Sequence, residues 1–256
     1  MSKQTPRWPN GKTEVGRSDA SSPQTARPFR YFNSSPEVIR LVVMMYVRCP
    51  LILRNVEHLL FERGIDVCHE TVRLWWNRFS LMFAGDIRRQ RVSRMKGFRH
   101  WRWHLDEMCV RLNGEMVYLC CAVDHEGEII ESYVTKKRDK TAALVFLKKA
   151  LKHHGRAEEF VTDGLRSYPA AMRELGNLDR REMGRWLNNR AENSHLPFRR
   201  RERAMLRFRQ MKSLQQFASV HANVHNHFNL ERHLIDRETF KIRRSAALAE
   251  WQLLMA

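Results

Sequence analysis

Two apolar stretches, WHLDEMCVRLN and EMVYLCCAVD, meet at Asn113-Gly114, and this junction narrows the folds open to the chain more than any other feature. Asn and Gly both tolerate the positive φ that a tight turn demands, so the pair reads as an antiparallel hairpin. A second turn over Asp124–Gly127 leads into a third expected strand, Ile129–Thr135. Asp139 is placed to cap a helix over Lys140–His154, with Leu144, Leu147 and Leu151 on one face and Gly155 at its end. A short fourth strand, Phe160–Thr162, runs directly into Asp163-Gly164, and the helix after it has Pro169 in its first turn and Gly176 at its end. A possible fifth strand near Arg181–Met183 precedes a basic helical segment. This order is α/β, with helices covering a mixed sheet.

The stretch before it is helical in pattern. PEVIRLVVMMYVRC places Val38, Leu41, Val42 and Met45 on one face, and Pro50 ends the run. A second helix over Leu53–Arg63 stops at Gly64, and a third over about His69–Phe79 carries Val72, Trp75, Trp76 and Phe79 on its apolar stripe. Two short helices around a Gly-containing turn form a helix-turn-helix pattern. Arg73, Asn77 and Arg78 point outward from the third helix, where they can reach DNA, although a structural three-helix cap would show the same pattern. Cys68 is a poor N-cap for that helix. Residues Met1–Arg30 read as a disordered basic tail, and Gly85–Arg102 as a basic linker. The expected organisation is therefore tail 1–30, helix-turn-helix domain 31–84, linker 85–102 and α/β domain 103–256.

With 46 Lys and Arg against 28 Asp and Glu, the formal charge is +18, which attracts polyanions, nucleic acid above all. Five cysteines without a C-x-x-C pair argue against a zinc ribbon or a disulfide framework and fit a reducing cytosol. No apolar run is long enough to span a bilayer, and the N-terminus lacks a signal peptide's apolar region, so no membrane association is expected.

Three carboxylates stand out. Asp106 lies on the first strand, Asp163 at the end of the fourth, and Glu192 inside the strongly basic run Arg185–Lys212. If strands one and four are neighbours, the aspartates approach each other at the strand end where open α/β sheets place their sites. A third carboxylate from a packed helix would complete a hard-oxygen site for Mg²⁺. Such a cluster is costly without a cation and cheap with one. His195, Arg199 and Arg203 follow Glu192 at helical spacing and could hold phosphates, provided Pro197 does not break the helix between them. Glu107 and Asp124 are rival carboxylates, but Glu107 faces the other side of its strand and Asp124 has a turn to serve. His221 and His225 have helical zinc-ligand spacing without further ligands and fit a core-packed helix better. Trp101, Trp103 and Trp186 flank the proposed site, where they could stack on a base or pack in the core.

Asp106 in WHLDEMCVRLNGEMVYLCCAVD, Asp163 in VTDGLRSYPAAMRELG and Glu192 in NNRAENSHLPFRRRER together resemble the DDE signature of bacterial insertion-sequence transposases, specifically the insertion-sequence-six family. The resemblance covers about residues 36 to 245 and is most specific in NNRAENSH and the RRRER after it. It implies an RNase H-like, integrase-type core preceded by a small all-α helix-turn-helix domain. It further implies Mg²⁺ or Mn²⁺ with two ions per site, cleavage at the inverted-repeat ends, joining of 3′ ends to target DNA, and action as a dimer or higher oligomer. Asn189, Arg190, His195, Arg199, Arg200 and Arg203 then become candidate DNA contacts, in a bacterial cytoplasmic protein associated with the nucleoid. The interval from Asp163 to Glu192 is shorter than in retroviral-type integrases, so the connecting elements differ there. A DNA-binding regulator and an RNase H-like nuclease without strand transfer are the alternatives.

Overall fold

The computed structural model describes residues 28–94, 102–155, 157–183, 189–205, 208–229 and 235–255. Most of the expected basic tail, Trp101, Trp186, His233 and linker residues 95–101 lie outside them, as do the side chains of Asn189 and Arg190. Contacts divide the chain into two units, Met1–Phe32 and Asn33–Ala256. The described end of the first is a turn in which the Phe32 N–H donates to the Phe29 carbonyl.

The second unit begins with α1 (Pro36–Arg48), α2 (Leu53–Phe61) and α3 (His69–Arg94). Ser35 caps α1, its hydroxyl accepting from Val38 N. Gly64, at φ +74°, closes α2 with the Ile65 N–H on the Leu60 carbonyl. At the start of α3 the Cys68 Sγ lies 3.3 Å from Thr71 Oγ1, and Glu57 of α2 accepts from His69 N at 3.1 Å and from His69 Nδ1 at 2.8 Å. That carboxylate fixes α2 against α3. The sequence places the end of α3 at Phe79 and a linker from Gly85, and here the structure differs. The helix runs on to Arg94 because Phe79, Phe83, Ala84 and Ile87 stay buried at helical spacing while Arg89 faces out and Arg91 pairs with Glu128.

The sheet has β1 (Arg102–Leu112), β2 (Glu115–Asp124), β3 (Ile129–Thr135), β4 (Glu159–Thr162) and β5 (Arg181–Met183), in the order β3-β2-β1-β4-β5. β1 and β2 pair antiparallel with Leu112 opposite Glu115, so Asn113 (φ 49°) and Gly114 (φ 90°) make the expected two-residue turn. β1 is parallel to β4 and β4 to β5, which places the end of β4 beside Leu105, inside β1. One face is covered by α4 (Lys140–His154) and α5 (Ser167–Glu174), packed on Trp103, Leu105, Cys120, Ala122 and Phe160. Trp103 belongs to that core, edge-on to Phe160 at 5.6 Å, and is not available to a DNA base. The other face carries α6 (Asn189–Ala204) and α7 (Met211–Phe228). α1 and α3 pack on α7, and α8 (Arg237–Gln252) packs on α1 and α7. Among the described residues no helix is long and apolar enough to cross a membrane.

Candidate active site

Alternation along β1 turns Asp106 toward the α6 side and Glu107 toward α4 and α5. Leu105 pairs with Thr162 in the parallel β1–β4 register, so Asp106 and Asp163 are the next positions of adjacent strands. Each aspartate has one oxygen tied to backbone: Asp106 Oδ1 accepts from Glu107 N at 2.8 Å, and Asp163 Oδ1 from Leu165 N at 3.1 Å. Their Oδ2 atoms are left for the site. Asp106 Oδ2 lies 3.6 Å from His195 Nδ1, and Asp163 Oδ2 lies 3.8 Å from Arg138 Nη2.

Glu192 comes from α6, which runs unbroken through Pro197. Pro197 cannot donate to the Asn193 carbonyl, but Ala191, Ser194, Phe198 and Arg201 form a buried stripe that holds the helix on both sides of it. Glu192, exposed, thus keeps a common face with His195 and Arg199.

The electrostatics are those of a cluster short of positive charge. Burial raises the Asp106 carboxyl from an ordinary 3.8 to about 7; the Glu107 N–H opposes this, and the charges of Asp163, Glu192 and Glu107 add to it. His195 does not neutralise it. Burial, then Arg199, lowers the imidazole to about 4, so the ring is uncharged at neutral pH and 3.6 Å is too long for a hydrogen bond. Its Nε2 is buried without a partner.

Glu107 is not a ligand of the cluster, yet it is coupled to it. Arg138 Nε donates to Glu107 Oε2 at 2.6 Å while its Nη2 reaches toward Asp163. Nothing local in the sequence pointed to Arg138. Asp124 serves its turn, accepting from Glu126 N and Glu128 N at 2.9 Å. Arg199 is engaged by Glu202 at 2.6 Å, whereas Arg200 and Arg203 are exposed. Arg73 is half exposed beside Glu70 at 3.1 Å, and Asn77 and Arg78 are exposed.

Hard carboxylate oxygens with uncompensated charge fit a divalent cation. Among the described residues, the ligand atoms of Asp106, Asp163 and Glu192 do not all lie within 4.8 Å of one another, so meeting on one ion requires side-chain rotation, which exposed Glu192 permits. The trio that is that close is Glu131, His153 and His154. There Lys149 already pairs with Glu131 at 3.2 Å and Arg88 meets His154 Nε2 at 3.3 Å, so the carboxylate is neutralised without a metal.

A central β1 flanked by antiparallel β2 and parallel β4, with acidic residues within β1, at the end of β4 and on a helix across the sheet, defines an RNase H-like α/β fold. A DDE-domain family model of IS240-type transposases matches residues 100–231, just over half the chain. The chain belongs to this family and is a DDE transposase of the insertion-sequence-six type. It is 28% identical over 172 residues to the transposase for insertion sequence-like element IS431mec of Staphylococcus aureus, covering 65% of this chain and 75% of that protein. Among solved structures, it resembles the simian T-cell lymphotropic virus intasome (14% identity, 50% of this chain and 48% of that chain, TM-score 0.35). It also resembles the catalytic core domain of BIV integrase (12% identity, 59% of this chain and 99% of that chain, TM-score 0.32). The fold class rests on strand order and register, not on those superpositions.

Proposed function

We propose that the protein binds the terminal inverted repeats of its insertion sequence, cleaves DNA at the element ends and joins the 3′ ends to target DNA. The observation that carries this reading is the crowding of Asp106 by Asp163 and Glu192 inside a protein of net charge +18. Asp106, Asp163 and Glu192 would hold Mg²⁺ or Mn²⁺, two ions per site. When bound, the ions supply activation of a water or 3′-hydroxyl and charge stabilisation for in-line phosphoryl transfer. The backbone N–H groups of Glu107 and Leu165 hold the aspartates in orientation. Neutral His195 leaves the negative charge of Asp106 available. Arg138 braces Glu107 and Asp163 from behind, and the exposed Arg200 and Arg203 attract the DNA backbone. Asn189 and Arg190, at the start of the same helix, belong to this surface in our reading. Two ends must be handled together, so a homodimer or larger assembly on DNA is the working form.

The test is strand transfer from a pre-cut end with Mg²⁺. Glu192→Gln should lose joining by on the order of 10³-fold while keeping DNA affinity. Wild-type joining in that variant would remove Glu192 from the site, and hydrolysis without joining by the wild type would identify a nuclease.

The helices α1–α3 are, in our reading, the module that recognises the element ends, with Arg73, Asn77 and Arg78 on its reading face. Arg73→Ala should weaken binding to the terminal repeat about tenfold and to random DNA far less, as measured by gel shift. Equal losses on both would reduce Arg73 to a phosphate contact.

A further inference from the structure

Away from the carboxylates, α6 turns another face toward α1 and α7 and there helps to close a cavity of about 330 Å³. Arg48 at the end of α1, Arg200 and Arg201 of α6, and His221, His225 and Phe228 of α7 form much of its wall, and no Asp or Glu lines it among the described residues. Arg201 is only 1% exposed. Its Nη1 donates to the Leu51 carbonyl at 3.0 Å, and the guanidinium lies 5.2 Å from the Tyr46 ring and 5.6 Å from the Phe217 ring. Its Nε and Nη2 are buried with no hydrogen-bond partner among the described residues. Donors of a charged group left in that state carry their full desolvation cost.

The neighbours deepen the imbalance. Burial, then His225 and Arg201, drives the His221 imidazole down to about 3. Burial and Arg48 push His225 the same way. The two rings are therefore neutral, and they stack with centroids 5.9 Å apart at an interplanar angle of 3°. Arg48 lies over Phe228 at 3.9 Å. Three fixed cations thus converge on a space walled otherwise by aromatic and aliphatic groups.

We propose that this cavity is a phosphate-binding site, separate from the carboxylate centre, that takes the phosphate of one nucleotide unit with its base against the half-buried His225 ring. Arg48 and Arg200 in the wall offer guanidinium donors to the oxygens of a phosphate, and buried Arg201 adds positive charge behind them. The volume lies within the range of about 300–1,000 Å³ common for small-ligand sites and exceeds what a bare phosphate needs. The flat, half-buried His225 ring beside the cations gives a base a stacking partner. The nucleotide is either free or part of a DNA strand, and the phosphate chemistry is the same for both.

The experiment is calorimetric titration of the full-length protein at constant ionic strength with inorganic phosphate and with dAMP. Saturable binding of dAMP is expected, weakened about tenfold by Arg200→Gln, which alters an exposed side chain, and similarly by Arg48→Gln. Arg173→Gln on α5 removes the same charge outside the cavity and should change affinity less than about twofold. Asp106→Asn should leave dAMP binding intact, which keeps this result independent of the transposase reading. Displacement of dAMP by a short single-stranded oligonucleotide would assign the site to a DNA strand, and dAMP bound alongside the oligonucleotide would assign it to a free nucleotide. No saturable binding of either probe, or equal losses in Arg173→Gln and Arg200→Gln, would overturn the proposal.

Discussion

Asp106→Asn is expected to raise the thermal midpoint of the metal-free protein at pH 8 by about 5 °C or more, while lowering strand joining by on the order of 10³-fold. The two effects have one cause. The folded protein holds this carboxyl at about 7 against an ordinary 3.8. Between those values the folded state binds more proton than the unfolded one, so stability is greatest below about 4 and falls as pH rises through about 7. The full shift corresponds to about 4 kcal/mol, and half of it translates into the stated change in midpoint for a chain of this size. Asn keeps the acceptor for Glu107 N but removes the charge that Asp163 and Glu192 oppose. The stabilisation should therefore vanish near pH 4, and Mg²⁺ should stabilise the wild type more than the variant. A variant no more stable than the wild type in EDTA at pH 8 would mean that neither burial nor the neighbouring carboxylates penalise the Asp106 charge. A site that destabilises its own apo fold is one held in place for function.

What could be read before the fold was known depended on whether the signal was local. Asn113-Gly114, the Asp139 cap and the Gly155 stop are each carried by a few adjacent residues, and each element lies where its residues place it. The pairing of Asp106 with Asp163 needed one further inference, that β1 and β4 are neighbours, and the parallel register supplies it. The continuation of α3 was hidden because Arg88, Arg89, Arg91 and Arg94 dominate its composition, while the burial that sustains it rests on Phe83, Ala84 and Ile87. Composition spoke for the exposed face and periodicity for the buried one. Arg201 was hidden among identical neighbours, although its spacing from Ala191, Ser194 and Phe198 marks it as the inward arginine. Arg138 had no such mark, since its partner Glu107 is distant in sequence and on a different element.

Trp251→Ala should cost about 3–5 kcal/mol and lower the thermal midpoint by about 10 °C, in a single transition seen by calorimetry. Trp251, 1% exposed, packs against Phe83 of α3 at 5.5 Å and Phe228 of α7 at 5.9 Å, and its Nε1 donates to the Arg40 carbonyl of α1 at 3.1 Å. Three residues on, the Leu254 carbonyl accepts from Arg40 Nε at 2.7 Å, and the Met255 N–H donates to Asp86 of α3 at 3.1 Å. Residues Trp251–Met255 thus fasten α1 and α3 to α7, which itself lies on the sheet. If α1–α3 were an independently stable domain, Trp251→Ala would leave its melting unchanged and shift only the rest. With α1, α3, α7 and α8 sharing one core, the whole unit should lose stability together, and α3 is then held at a fixed position relative to the carboxylates. A second transition at the wild-type temperature in the variant would break that link.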